Sequence, residues 1–368
     1  MQHDDDARTV LTLDAGGTHL AFAAVRGNRQ VVAPVSLPSA PDDLDVCLAR
    51  IAEGFRTVLR LAGGDAAAIS FAFPGPADYR NGIIGDLQNL PAFRGGVALG
   101  PMLSHQFDLP VFINNDGDLF ALGEAMAGFL PWMNARLEAA GATRRYRNLL
   151  GVTLGTGFGA GIVHDGKMFR GDNGAAAEIW LTRNKLDPGS FAEEGVSIRA
   201  VRRAYAARAA VPVAEAPEPI EIAAIAAGAR SGNGAAARHA FRRMGEVAGD
   251  AIGNALTLVD SLVVIGGGLA GAAPWFLPAL VSELNGSFAT QHGEPVSRLV
   301  SRAFNVEDPA ELEAFVRSGS IRVRVPGADR SVEYDPVKRV GVGVTRLGNA
   351  QAVAIGAYAF ALDALDGN

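Results

Sequence analysis

Apolar and polar positions follow two rhythms along this chain. Thr9-Val10-Leu11-Thr12-Leu13-Asp14 is a β-branched, apolar run that stops at Ala15-Gly16-Gly17-Thr18, and His19 to Val25 reads as the returning strand of a glycine-turned hairpin. Residues 43–62 change to helical spacing, with Leu44, Cys47, Leu48, Ile51 and Phe55 on one face. Ala68 to Phe73 then forms a short buried strand that ends at Pro74-Gly75-Pro76. Val111-Phe112-Ile113 is a further strand, and the pattern after Asn114-Asn115-Asp116 predicts a helix from about Leu119 onward.

Residues 148–163 repeat the opening theme of apolar strand, glycine turn (Gly155-Thr156-Gly157-Phe158-Gly159) and return strand. Helical spacing follows over 194–208 and 235–258. Ser261 to Ile265 is a buried strand closing on Gly266-Gly267-Gly268, and 349–365 is an apolar, alanine-rich helix. Prolines interrupt the helical pattern over 214–219 and predict a surface linker there. Two hairpins of one design suggest duplicated lobes. At 368 residues the chain exceeds what one hydrophobic core usually serves, so an α/β protein of two lobes with a cleft between them is expected.

Composition narrows the functions. A content of 49% hydrophobic and 20% charged residues fits a globular chain, and a net charge of −6 supplies no broad positive field for nucleic acid or an anionic membrane. Cys47 is the single cysteine, which excludes an intrachain disulfide framework and a cysteine-cluster zinc site. The start Met1-Gln2-His3-Asp4-Asp5-Asp6 is acidic where a signal peptide is basic, and no segment has the length of a membrane-spanning helix. A soluble cytoplasmic protein is expected.

The chemistry gathers at the glycine turns. Asp14 at a strand end beside Gly16, Gly17 and Thr18 suits a phosphate whose charge a magnesium ion relays, since carboxylate and phosphate repel. Gly155, Thr156 and Gly157 form a second turn of backbone donors, and Gly266, Gly267 and Gly268 allow a nucleotide to approach a strand end. Asp116 reads either as a helix cap or as a general base. No Walker loop is present, and the opening hairpin is unlike a dinucleotide fold.

From about residue 8 to its end the chain resembles the ROK family of sugar kinases and sugar-responsive repressors. Asp14-Ala15-Gly16-Gly17-Thr18 resembles that family's first phosphate loop, Pro74-Gly75-Pro76 its sugar-side turn, and Gly155-Thr156-Gly157 its second phosphate loop. Asn115-Asp116-Gly117-Asp118, with Ala121-Leu122-Gly123-Glu124 after it, resembles the family's catalytic segment, and Gly171 to Glu178 its sugar-binding segment. The resemblance implies a two-lobed actin-like ATPase fold, related to ribonuclease H. Its N-terminal lobe would be residues 1–115 with 349–368, and its C-terminal lobe 116–348.

It also implies ATP as phosphate donor, magnesium held by Asp14 through water, and Asp116 as the base. Gly75, Asn115, Glu178 and Glu193 would then contact the sugar, with Glu194 an alternative to Glu193. Glucose phosphorylated at its 6-OH is the first expectation, with another hexose or an N-acetylhexosamine as alternatives. A catalytically silent sugar-binding regulator is the rival class. A DNA-binding repressor is disfavoured because Asp14 lies so near the start that no helix-turn-helix module fits before it.

The chain departs from the family where Glu178-Ile179-Trp180-Leu181 replaces the run that leads to a zinc-binding histidine, so no structural zinc is expected. Trp180 is either an apolar sugar face or a core residue. The stretch 291–346 is longer than the family spacing and reads as a lobe insertion or an oligomer interface, leaving a homodimer open.

Overall fold

The computed structural model describes residues 3–15, 19–75, 77–85, 91–317 and 319–367. Gly16, Gly17, Thr18 and Pro76, all expected at the site, lie outside the described residues. The chain divides into two compact units, one of residues 1–131, 160–177 and 346–368, the other of 132–159 and 178–345.

The first unit is built on a sheet with the strand order Arg29–Gln30, His19–Arg26, Val10–Ala15, Ala68–Ala72, Val111–Asn114; Val35–Pro38 also pairs with His19–Arg26. The expected opening hairpin is there, antiparallel from Val10↔Val25 to Ala15↔Leu20, and the next two strands run parallel to it. Alternation along Val10–Ala15 sends its side chains to two cores. Leu11 and Leu13 join Phe22, Ile51, Phe55 and Phe71 under helix Leu44–Leu61, while Val10 joins Val25, Tyr358 and Leu362 under helix Asn349–Leu365. A central strand covered on both faces must be apolar almost throughout, which is how its sequence reads.

In the second unit Leu149–Leu154, Leu262–Gly266, Arg339–Val344 and Arg302–Asn305 lie in that order, all parallel. Helices Gly234–Val259 and Ala273–Leu284 pack closely, because Gly249 leaves room for the carbonyl of Leu280.

Three regions differ from the sequence reading. The stretch 291–346 is not wholly an insertion, since Arg302–Asn305 and Arg339–Val344 are strands of the second sheet. Outside that sheet the stretch holds helix Pro309–Val316 and the small hairpin of Ile321–Arg324 with Ser331–Tyr334, and its start, Pro295–Ser297, pairs back with Ser287–Ala289. The proposed linker at 214–219 is a short helical turn, Val213–Glu215, followed by a helix that Pro219 opens, because proline suits the first helical position. Helix Asp116–Met126 belongs with the first unit, where it packs on Asn349–Leu365.

Candidate active site

In the first unit three strand ends share one register. Asp14 pairs with Ala72, and Ala72 pairs with Asn114. The three strands are mutually parallel, so these are their carboxyl ends, the side on which open α/β sheets hold ligands. Gly75 follows the middle strand, and Asn115-Asp116 follows the third.

The helix begins at Asp116 and not near Leu119, because Asn115 caps it: its backbone is extended and its Oδ1 accepts the Gly117 N–H at 2.8 Å. The cap role considered for Asp116 therefore belongs to its neighbour. Asp116 is exposed, with Oδ1 accepting the same N–H at 2.9 Å, whereas Gly117 through Met126 are all buried.

Backbone packed on backbone holds this helix. A Cβ on Gly117 would stand 2.6 Å from the Ala160 carbonyl oxygen, and one on Gly161 2.5 Å from that of Gly117. Gly123 lies directly against the Ala352 carbonyl and Gly356 against that of Leu119, so the helix and Asn349–Leu365 cross with their main chains touching. The Glu124 carboxylate, fully buried, accepts the N–H groups of Phe129 at 2.7 Å, Leu347 at 3.1 Å and Arg346 at 3.2 Å. Sequence reasoning saw Gly123 and Glu124 only as motif letters. The available signal was a glycine in each of two alanine-rich helices.

Asn114 was missed as well. It is 1% exposed, and neither polar atom of its side chain has a partner among the described residues. An unsatisfied buried amide costs about 1–3 kcal/mol, which a bound hydroxyl would offset. Gly75 has an internal reason to be glycine, since a Cβ would come within 2.9 Å of Tyr79 Oη, which itself donates to the Phe73 carbonyl. Asp14 keeps solvent on one side, yet the protein around it removes enough water to raise its carboxyl above the ordinary range. Among the described residues it has no ion pair.

In the second unit two glycine turns meet. Gly155 N–H closes on Gly157 O at 3.0 Å, leaving the N–H groups of Thr156 and Gly157 without a protein acceptor among the described residues. Gly267, at φ +84, packs on the backbone of Leu154, and Leu269 N–H bonds the Leu154 carbonyl at 2.9 Å. A Cβ on Gly268 would face open space.

Glu193 lies against this second-unit turn. One carboxylate oxygen accepts Phe158 N–H at 3.0 Å, and the other pairs with Arg199 at 2.7 Å, whose guanidinium also donates to the Thr156 carbonyl at 3.3 Å. Glu194 pairs with Arg203 and Arg199, which hold its carboxyl below the ordinary range. Glu193 and Glu194, the alternatives for one sugar contact, are thus both paired with arginines. Glu178 is exposed and accepts the Trp180 indole N–H, and Trp180 is half-buried, edge-on to Phe191.

The profile of the ROK family matches residues 10–310. The crystal structure of a glucokinase from Parabacteroides distasonis is 51% identical, covers 99% of each chain and has a TM-score of 0.88. The N-acetyl-D-glucosamine kinase of Vibrio cholerae serotype O1 is 32% identical over 174 residues, 47% of this chain and 52% of that protein. The chain thus matches about half the length of that curated relative. A ROK family glucokinase from Streptomyces griseus, solved with glucose and AMPPNP, shares the fold with a TM-score of 0.60 at 19% identity, over 95% of this chain and 98% of its own.

Proposed function

The chain belongs to the ROK family, and from that premise we propose that it is an ATP-dependent sugar kinase, passing the γ-phosphate to a hexose hydroxyl, with the glucose 6-OH as first acceptor. One observation carries the reading. In a helix whose other residues are all buried, the single exposed position is a carboxylate, Asp116, in the first turn.

In this reading Asp116 accepts the proton of the attacking hydroxyl, while the rest of catalysis is positioning and charge neutralisation. Asn115 keeps its Nδ2 for a ring hydroxyl while Oδ1 caps the helix, Asn114 offers its unpartnered amide, and Gly75 and Glu178 complete the sugar contacts. The free N–H groups of Thr156 and Gly157 take phosphate oxygens, assisted by Gly16, Gly17 and Thr18, and the open side of Gly266, Gly267 and Gly268 receives the nucleoside. Among the described residues no cluster of His, Cys, Asp and Glu would hold a metal by itself. Asp14 through water, with phosphate oxygens, would hold magnesium, which supplies charge neutralisation when bound. Glu193 serves the reaction by bracing the phosphate turn, in place of the sugar contact first expected.

Among the described residues no helix is long and apolar enough to cross a membrane. The reading takes the enzyme to act in the cytoplasm, as a monomer or homodimer. Similarity to the Parabacteroides glucokinase favours glucose, and similarity to the Vibrio enzyme favours N-acetylglucosamine as a second acceptor. ATP-dependent phosphorylation of a panel of hexoses and N-acetylhexosamines tests both. Turnover of glucose, lost in Asp116→Asn, supports the proposal. Sugar binding without turnover in the parent would make the chain a sensor.

A further inference from the structure

The second unit holds a cavity of about 570 Å³ bounded by helices Ile198–Ala209 and Gly234–Val259 and by the loop 184–195. Its size is that of a pocket for a small organic molecule. Two kinds of surface line it. Ala204, Met244 and Val247 form an apolar floor, and Arg203, Arg208, His239 and Arg243 bring basic groups to it.

The charge in this cavity is unbalanced. Of the two carboxylates in the lining, Glu194 has both oxygens engaged, one with Arg199 and one with Arg203, which leaves Asp187. Among the described residues the guanidiniums of Arg208 and Arg243 have neither a hydrogen bond nor an ion pair. Arg242 adds a further positive charge beside His239, with its Nη2 3.1 Å from the ring Nδ1, and is 3.8 Å from Glu246. Burial, and then the charges of Arg242, Arg208 and Arg243, hold His239 below its ordinary titration range. Several guanidiniums around one imidazole repel each other unless an anion lies among them. Planar guanidiniums recognise phosphate well, because they donate two parallel hydrogen bonds.

We propose that this cavity is a second ligand site, outside the glycine turns, which binds a small phosphate ester with its phosphate on Arg208, Arg243 and the His239 ring and its organic body on the apolar floor. The site does not depend on the kinase reading. It would let the level of a phosphorylated metabolite act on the same unit that carries the Gly155 to Gly157 turn.

The test is calorimetric titration with inorganic phosphate and with glycerol 3-phosphate, using glycerol as the uncharged control. The double variant Arg208→Gln/Arg243→Gln is expected to weaken binding of both phosphates about 10-fold or more. Arg322→Gln/Arg324→Gln, which removes equal charge from an exposed hairpin, should keep the parent affinity. Saturating phosphate should also raise the titration midpoint of the His239 ring protons, read by NMR, in the parent and not in the Arg208/Arg243 double variant. Absence of saturable phosphate binding in the parent would overturn the proposal. So would equal weakening by the two arginine double variants.

Discussion

The candidate residues of the first unit and those of the second are held by opposite means. In the first unit Asp116 heads a helix locked by main chain on main chain, through Gly117, Gly123 and Gly356, with a buried carboxylate, Glu124, tying down its far end. In the second unit the Gly155 to Gly157 turn is braced by Glu193 and Arg199, two partly solvated side chains. An exposed ion pair contributes only about 0–1 kcal/mol, whereas a backbone contact with no room for a methyl group admits no slack. A proton acceptor has to stand within hydrogen-bond reach of one hydroxyl, and small displacements cost rate steeply. A turn that holds phosphate by several N–H groups tolerates a softer mounting.

Substitutions can break or sharpen that contrast. The largest effect belongs to Asp116→Asn, expected to lower kcat about 1000-fold in a coupled ADP-release assay with the unfolding midpoint unchanged. A loss below tenfold would remove Asp116 as the base. Gly123→Ala comes next, costing about 3 kcal/mol in urea denaturation because the methyl meets the Ala352 carbonyl. Gly268→Ala, whose added methyl meets no atom, should cost well under about 1 kcal/mol; equal losses would contradict the close crossing.

Glu193→Ala is expected to raise KM for ATP about 10-fold while kcat changes less. Arg199→Ala should do the same, and the double variant should add little, since both remove one brace. High salt should narrow the gap to the parent. A KM effect on the sugar in place of ATP would restore Glu193 to the sugar.

The smallest effect concerns Asp14. The folded chain holds its proton more tightly than the unfolded chain, so this residue lowers stability as pH rises through its titration range. Asp14→Asn should therefore melt above the parent at neutral pH, with the gain vanishing in acid where the carboxyl is protonated. An unchanged or lower Tm at neutral pH would contradict the desolvated site.

Much of this was legible in advance. Helix Leu44–Leu61, helix Asn349–Leu365 and the two glycine-turned hairpins lie where periodicity put them, because strong apolar repeats bounded by glycine or proline are local signals. The start of helix Asp116–Met126 was misplaced because a capping asparagine and an acidic first turn carry no apolar repeat. Arg302–Asn305 and Arg339–Val344 stay hidden in a stretch that reads as an insertion or an oligomer interface, because Arg339–Val344 joins the sheet through Leu262–Gly266, far off in sequence.

Alone, the sequence determined the two glycine-turn designs, the aspartate at the strand-to-helix junction and the family to which the chain belongs, since each is carried by a few neighbouring residues. The tertiary structure decided that Asn115 is a cap, that Asn114 is buried with an unpartnered amide, that Glu193 braces a turn, and that Gly123 and Gly356 exist to let two backbones touch. Those roles depend on what distant segments bring within a few ångströms, and no spacing along one chain records that.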